Sequence, residues 1–153
     1  MAKSDLIISI VTPTFNRSQE LDHLIASINK QTLNNKYFEM IISDDGSTDD
    51  TKEKIIKWKT MVSFQLKYIT QDNLGPGAAR NHGVKNANGD LIVFIDSDCE
   101  ADESWLKIIY DSYKKFKFDA FGGPDHSKED FLPIQRAIDY SMTSFLTTGG
   151  MRG

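Results

Sequence analysis

Cysteine is nearly absent. Cys99 stands alone, which excludes an internal disulfide and a cysteine-based zinc site. With no histidine arrangement beside it, Cys99 reads as a small buried residue rather than a nucleophile. Histidine is scarce too: His23, His82 and His126 lack any spacing that would let them share a metal. Positive charge is in deficit. The chain carries a formal net charge of −4, so it lacks the basic footprint of a nucleic-acid binder. Long apolar runs are missing as well. Leu6 to Val11 has only the length of a strand, and no stretch has the pattern of a membrane span or a signal peptide. No internal repeat, low-complexity tract or domain linker breaks the sequence. What is left is an ordinary globular composition, 39% hydrophobic and 26% charged over 153 residues. That length predicts one domain with a sizeable core. A cytoplasmic location is the matching expectation.

One stretch organises the rest: Leu91-Ile92-Val93-Phe94-Ile95-Asp96-Ser97-Asp98. Its apolar run predicts a fully buried strand, central in a parallel sheet. Alternation along an extended backbone would point Asp96 and Asp98 the same way. They would then sit at the carboxyl end of the sheet, where open α/β folds bind ligands. Two hard oxygen donors there suit Mg²⁺ or Mn²⁺, with water and substrate phosphates as the other ligands. The competing reading is a solvated acidic turn that merely ends the strand.

Upstream, Leu6 to Val11 predicts a first strand, which Pro13 ends because it cannot continue a central ladder. Ser18 is the expected cap of a helix with Leu21, Leu24, Ile25 and Ile28 on one face, ending near Gln31 to Asn35. Phe38 to Ser43 predicts a second strand. After it, Asp45-Gly46 signals a turn, and Ser47 or Thr48 is expected to cap a helix carrying Ile55, Ile56 and Trp58. Phe64 to Ile69 predicts a third, less buried strand. Residues Ala78 to Ala87 read as a short helix opened by small residues, which permit close approach of a ligand or a second backbone. Beyond Asp98, acids and Ser104 start a helix with Trp105, Leu106, Ile109, Tyr110 and Tyr113 on its packed side. Ala120-Phe121 predicts a brief fifth strand before Gly122-Gly123-Pro124, and Pro133 to Phe145 a last amphipathic helix. The successive strand–loop–helix units predict a three-layer α/β/α sandwich on a mostly parallel sheet.

The strand-end loops of such a sheet share one edge. They bring together Thr12 to Arg17, Asp44 to Ser47, Asn73 to Arg80, and Asp96 to Asp98. Asp44 or Asp45 can accept hydrogen bonds from a base or ribose, or cap a helix. Arg80 can neutralise phosphate with its planar fork of donors, or pair with a nearby aspartate. Gly75-Pro76-Gly77 can bring backbone close to a ligand, or simply turn. Asn16 and Arg17 cap the first helix or touch ligand, capping being the plainer role. The whole set makes sense as a nucleotide-diphosphate site. Two rivals share parts of it. Gly75-Pro76-Gly77-Ala78-Ala79-Arg80 starts like the dinucleotide fingerprint, but Arg80 replaces its last glycine and the third strand precedes it. A strand ending in Asp-Ser-Asp also resembles the first motif of haloacid-dehalogenase phosphatases, with Asp96 as nucleophile. There, however, Cys99-Glu100 stands in place of the usual threonine.

Taken in order, four segments closely resemble the nucleotide-binding half of a family 2, GT-A-fold glycosyltransferase. They are Ile10 to Arg17, Ile41 to Asp49, Asn73 to Gly83, and Gly89 to Asp98. The resemblance implies an inverting enzyme with a nucleotide-diphospho-sugar donor, most often UDP-linked, and a glycan or lipid-linked acceptor. It implies donor contacts from Thr12, Pro13, Phe15, Asn16, Asp44, Asp45, Gly75, Arg80, Asp96 and Ser97. Asp98, with Asp96, would hold Mn²⁺ or Mg²⁺ against the phosphates. In this family the catalytic base lies in a downstream acceptor half. The expectation is therefore a donor-binding fragment with that half missing, and with Glu129-Asp130 as loop acids rather than the base. A metal-dependent phosphatase and a non-catalytic nucleotide-sugar binder stand as alternatives. Peripheral attachment of the full-length protein to the inner membrane face is a further expectation from the family.

Overall fold

The first apolar run becomes the middle of the molecule. The computed structural model describes residues 7–122. Its four strands are β1 (Ile8–Thr14), β2 (Phe38–Asp44), β3 (Gln65–Thr70) and β4 (Leu91–Phe94). All pair in parallel, in the order β3-β2-β1-β4. Helices α1 (Ser18–Ile28), α2 (Thr51–Lys59), α3 (Pro76–Lys85) and α4 (Trp105–Phe116) follow the strands in turn. Residues to Phe116 form one compact unit. Lys117 begins a second, of which residues 117–122 are described.

Alternation along β1 and β2 separates two faces. Ile8, Ile10, Met40 and Ile42 join one core with Leu21, Leu24, Ile25 and Ile28 of α1, Ile55 of α2, and Leu106 and Ile109 of α4. Each such side chain contributes roughly 1.5–3 kcal/mol by leaving water. Helix α3 lies against the opposite face. A Cβ on Gly83 would collide with Val11 Cγ1, so glycine is what lets this helix press onto β1 and β2. The expected α/β/α layering follows. Among the described residues, no helix is long and apolar enough to cross a membrane.

The amino end of the sheet is closed by a carboxylate that carries no local signature in the sequence. Glu39, only 2% exposed, accepts from Ser9 Oγ at 2.7 Å and Asn88 N at 2.6 Å, and pairs with Lys67 Nζ at 2.8 Å. Burial alone would raise its pKa. The Lys67, Asn88 and Ser9 hydrogen bonds outweigh that and hold it below the usual value. Gly89 N donates to Ser9 Oγ at 2.8 Å, and a Cβ on Gly89 would come within 2.7 Å of Ile7 O and Ser9 N. The turn into β4 is thereby locked to β1.

Several expectations need correction. β4 is not central among the described strands but lies at one end of the sheet, with Phe94 48% exposed. The run Leu91 to Phe94 would read the same at an edge as at a centre, and of its four residues only Val93 is buried. Pro13 does not end β1. The strand runs on to Thr14, with Pro13 opposite Ser43. The Val11 carbonyl accepts from Ile95 N on the β4 side, and the Thr14 carbonyl from Asp45 N on the β2 side. Alternation then turns the Pro13 nitrogen toward β4, whose ladder with β1 already stops at Phe94, so no donor is missed.

Nor do Ser18, Ser47 and Thr48 cap as expected. The N-cap positions are Arg17 and Asp50, neither with a side-chain cap bond. Instead one carboxylate serves both helices: Asp49 accepts from Ser18 N at 3.2 Å and from Thr51 N at 3.1 Å. Helix α1 stops at Ile28, short of the expected end, and α3 starts at Pro76, earlier than expected, with proline in the first turn. No strand forms at Ala120-Phe121, where Phe121 is 43% exposed and packs on Phe118 at 5.0 Å between ring centroids. Cys99 is half-buried rather than buried. Gly123-Pro124, Glu129-Asp130 and the Pro133 to Phe145 helix lie outside the described residues.

Candidate functional site

Strand order reverses between β1 and β4, and such a switch point opens a crevice at the carboxyl ends of the strands. A cleft of about 480 Å³ lies there, walled by Pro13 and Thr14 at the end of β1, Phe15 and Arg17 after it, and Asp45 after β2. Asn73 and Gly75 come from the loop before α3, Pro76, Ala79 and Arg80 from its start, and Asp96, Ser97 and Asp98 from beyond β4. Phe15 is 43% exposed, so an aromatic face stands open at the rim.

Asp45 builds one wall. It is 4% exposed and accepts from Gln71 Nε2 at 2.7 Å, Leu74 N at 2.9 Å and Gly75 N at 2.7 Å. Burial would raise its pKa, but the bonds from Leu74, Gln71 and Gly75 prevail and hold it below the usual aspartate value. Gly75 has φ +91°, a region costly for L side chains, and directs the chain into α3. Asp45 therefore ties β2 to the loop that delivers Arg80.

Asp44 stands behind this wall rather than in it. Its Oδ1 accepts from Ser47 N and Oγ, and its Oδ2 from Tyr68 Oη at 2.6 Å. Burial and this carboxylate push the Tyr68 phenol well above its ordinary pKa. Asn16 adopts φ +51° and turns its amide oxygen to Thr48 N at 2.8 Å and Asp49 N at 3.3 Å. Asparagine tolerates that left-handed conformation better than most residues. Thr12 is fully buried in β1.

Of the residues expected at the donor, Pro13, Phe15, Asp45, Gly75, Arg80, Asp96, Ser97 and Asp98 thus come together on the cleft. Thr12, Asn16 and Asp44 do not reach its wall; Asn16 and Asp44 brace the loops that form it, and Thr12 lies buried within β1. Asp96 and Asp98 both line the cleft, but not by strand alternation. The strand ends at Phe94, and a turn closed by Cys99 N to Asp96 O places them.

Each of these two carboxylates faces a guanidinium. Arg80 Nη2 lies 2.6 Å from Asp96 Oδ1, and Arg17 Nη1 lies 3.1 Å from Asp98 Oδ2. Arg17 stands at the N-cap position of α1 without a side-chain cap bond. Its positive charge at the end of the β1 loop, on the edge shared with Asp96 and Asp98, was the signal for a place in the cleft. As for a metal, Asp96 and Asp98 supply two exposed carboxylates beside two cations suited to phosphate. That donor set fits a hard divalent ion that completes its shell with water and ligand phosphates.

The sequence model of glycosyl transferase family 2 matches residues 9–152. Over 99 residues the chain is 31% identical to the poly(ribitol-phosphate) beta-N-acetylglucosaminyltransferase TarS of Staphylococcus aureus, covering 65% of this chain and 17% of TarS. It is 44% identical over 95 residues to an uncharacterized glycosyltransferase of Rickettsia conorii, covering 62% of this chain and 15% of that protein. The chain thus spans about a sixth of the length of these curated relatives. The crystal structure of TarS residues 1–349 with UDP-GlcNAc superposes with a TM-score of 0.72 at 26% identity, over 84% of this chain and 37% of that one. The mannosyltransferase PcManGT of Pyrobaculum calidifontis, solved with GDP-Man and Mn²⁺, shares the fold at 18% identity and a TM-score of 0.69, over 84% of this chain and 38% of that one.

Proposed function

The chain belongs to glycosyl transferase family 2, and from that premise we propose that its cleft binds the nucleotide diphosphate of a UDP-linked sugar. The whole protein, on this reading, transfers that sugar to a glycan or lipid-linked acceptor with inversion at the anomeric carbon. The observation that carries the reading is the meeting of Arg17, Arg80, Asp96 and Asp98 at one strand-end cleft.

Phe15 offers a face on which a base can stack and Ser97 an oxygen to the ribose, while Asp45, its oxygens taken by Gln71, Leu74 and Gly75, holds the wall in place. Arg80 faces the diphosphate, where a planar fork can bind two oxygens. Asp98 and Asp96 hold Mn²⁺ or Mg²⁺, which when bound stabilises negative charge on the leaving diphosphate. Activation of the acceptor hydroxyl falls to a carboxylate base outside the described residues. Donor binding is therefore the activity assigned to residues 7–122. The phosphatase alternative gives Asp96 the role of nucleophile, a role its 2.6 Å pairing with Arg80 does not favour.

Calorimetric titration with UDP and Mn²⁺ tests the proposal. Binding that needs the metal and disappears in Asp98→Ala is the expected result. Undetectable binding of every nucleoside diphosphate would overturn it. Phosphate release from small phosphoesters, abolished by Asp96→Asn, would favour the phosphatase instead.

A further inference from the structure

We propose that Arg17 and Arg80 are built-in counter-ions of the cleft, held by Asp98 and Asp96 until a metal–diphosphate complex takes both sets of partners at once. This rests on the donor reading above and extends it to Arg17, a residue that sequence reasoning gave chiefly to capping. Two guanidiniums and two carboxylates form two pairs, Arg17–Asp98 at 3.1 Å and Arg80–Asp96 at 2.6 Å, on the wall of one cleft. A divalent cation with a sugar-linked diphosphate adds two positive charges and two negative. If the cation takes the carboxylates and the phosphates take the guanidiniums, every charge finds a partner again.

Either ligand alone does worse. A lone cation must displace both arginines, leaving Arg80 without an anion and Arg17 with only the more distant Glu20. A lone diphosphate must draw the arginines away and then face two bare carboxylates. Each ligand thus prepares the site for the other, which is a coupling free energy between two binding events. The pairs are also suited to exchange. The side chains of Arg17 and Asp98 are 47% and 52% exposed, and those of Arg80 and Asp96 35% and 58%. Water screens pairs of this kind, so they hold their partners only weakly. Arg17 has a second carboxylate in reach, Glu20 at 3.8 Å, on the first turn of α1. That alternative can steady the side chain while Asp98 turns to the metal.

The test measures binding, not transfer. The 153-residue chain is titrated with Mn²⁺ alone, followed by electron paramagnetic resonance of the free ion, and with UDP by calorimetry, with and without Mn²⁺. Wild type is expected to bind Mn²⁺ about tenfold more tightly with UDP present, within the roughly 5–150-fold range of such couplings. Arg17→Gln is expected to bind Mn²⁺ alone several-fold more tightly, because Asp98 is released. It should also bind UDP·Mn²⁺ more weakly, so that the coupling shrinks. Arg17→Lys should restore part of it. A residue that merely supports the fold would not raise affinity for one ligand while lowering it for the other. Unchanged or weaker Mn²⁺ binding by Arg17→Gln, with UDP·Mn²⁺ binding intact in wild type and lost in Asp98→Ala, would overturn the counter-ion role and leave the donor reading standing. Absence of UDP·Mn²⁺ binding in wild type would instead remove the donor reading itself.

Discussion

At the amino end of the sheet Glu39 meets Lys67 at 2.8 Å, and at the carboxyl end Asp96 meets Arg80 at 2.6 Å. The distances are alike, and the surroundings are not. Glu39 is 2% exposed, and Ser9 and Asn88 occupy its remaining lone pairs. The side chain of Asp96 is 58% exposed. The first pair joins β1, β2, β3 and the turn into β4, so its loss would open several elements together. The second joins only a helix and a loop, across a cleft. The contrast teaches that solvent, not separation, decides whether an ion pair fastens a fold or waits for a ligand.

The largest effect expected from this contrast is at Glu39. Glu39→Gln leaves Lys67 without its anion and puts an amide where three donors converge. Breaking a buried pair typically costs about 3–5 kcal/mol. Lys67 is 24% exposed and can turn partly to water, so about 3 kcal/mol is expected here. Urea denaturation measures it. A loss below about 1 kcal/mol would place this pair in the class of surface bridges and dissolve the comparison.

Asp45 is intermediate, at the carboxyl end like Asp96 but buried like Glu39. Asp45→Asn is expected to cost about 2 kcal/mol at neutral pH, since its amide group can no longer accept from all of Gln71, Leu74 and Gly75. The pH dependence has a definite sign. The folded pKa of Asp45 lies below its ordinary value of 3.8. On acidification the unfolded chain therefore takes up the proton first. The stabilisation is whole above pH 3.8 and fades as pH falls through the lower folded value. The stability gap between wild type and Asp45→Asn should accordingly narrow as the pH falls below 3.8. A gap that stays constant on acidification would show that the lost hydrogen bonds do not depend on charge.

How much of this was legible beforehand depends on the kind of interaction. Apolar patterning placed β1 and β2 and the core face of α1, because burial repeats with the backbone's own period. The four loop motifs led to the right edge of the sheet, since strand ends must share it. Three things stayed hidden. The place of β4 within the sheet depends on its neighbours, and Leu91 to Phe94 is the same string at an edge or a centre. Pro13 fits because β4 stops at Phe94, a fact eighty residues away in sequence. Glu39 and Asp49 act on partners from other elements, so neither carries a local signature. The roles of Asp44 and Asn16 changed for the same reason: Tyr68, Ser47 and Thr48 use their oxygens before any ligand can.

The smallest stability effect is expected where the pair is shortest. Arg80→Gln removes the 2.6 Å contact with Asp96, yet exposed pairs of this kind contribute only about 0–1 kcal/mol. Glutamine keeps two of the three methylenes of the Arg80 side chain, so packing around this position changes little. Urea midpoints within about 0.5 kcal/mol of wild type are expected. The same variant should lose roughly tenfold in affinity for UDP·Mn²⁺, in line with about 1.5–3 kcal/mol for a hydrogen bond to a charged group, part of which Arg17 makes up. The two numbers must move in opposite directions from those of Glu39→Gln, which should unfold early but bind normally while folded. If Arg80→Gln were instead as destabilising as Glu39→Gln, the carboxyl edge would be a second clamp, its arginines would be too firmly held to change partners, and the cleft would have to bind its ligand by some other charge.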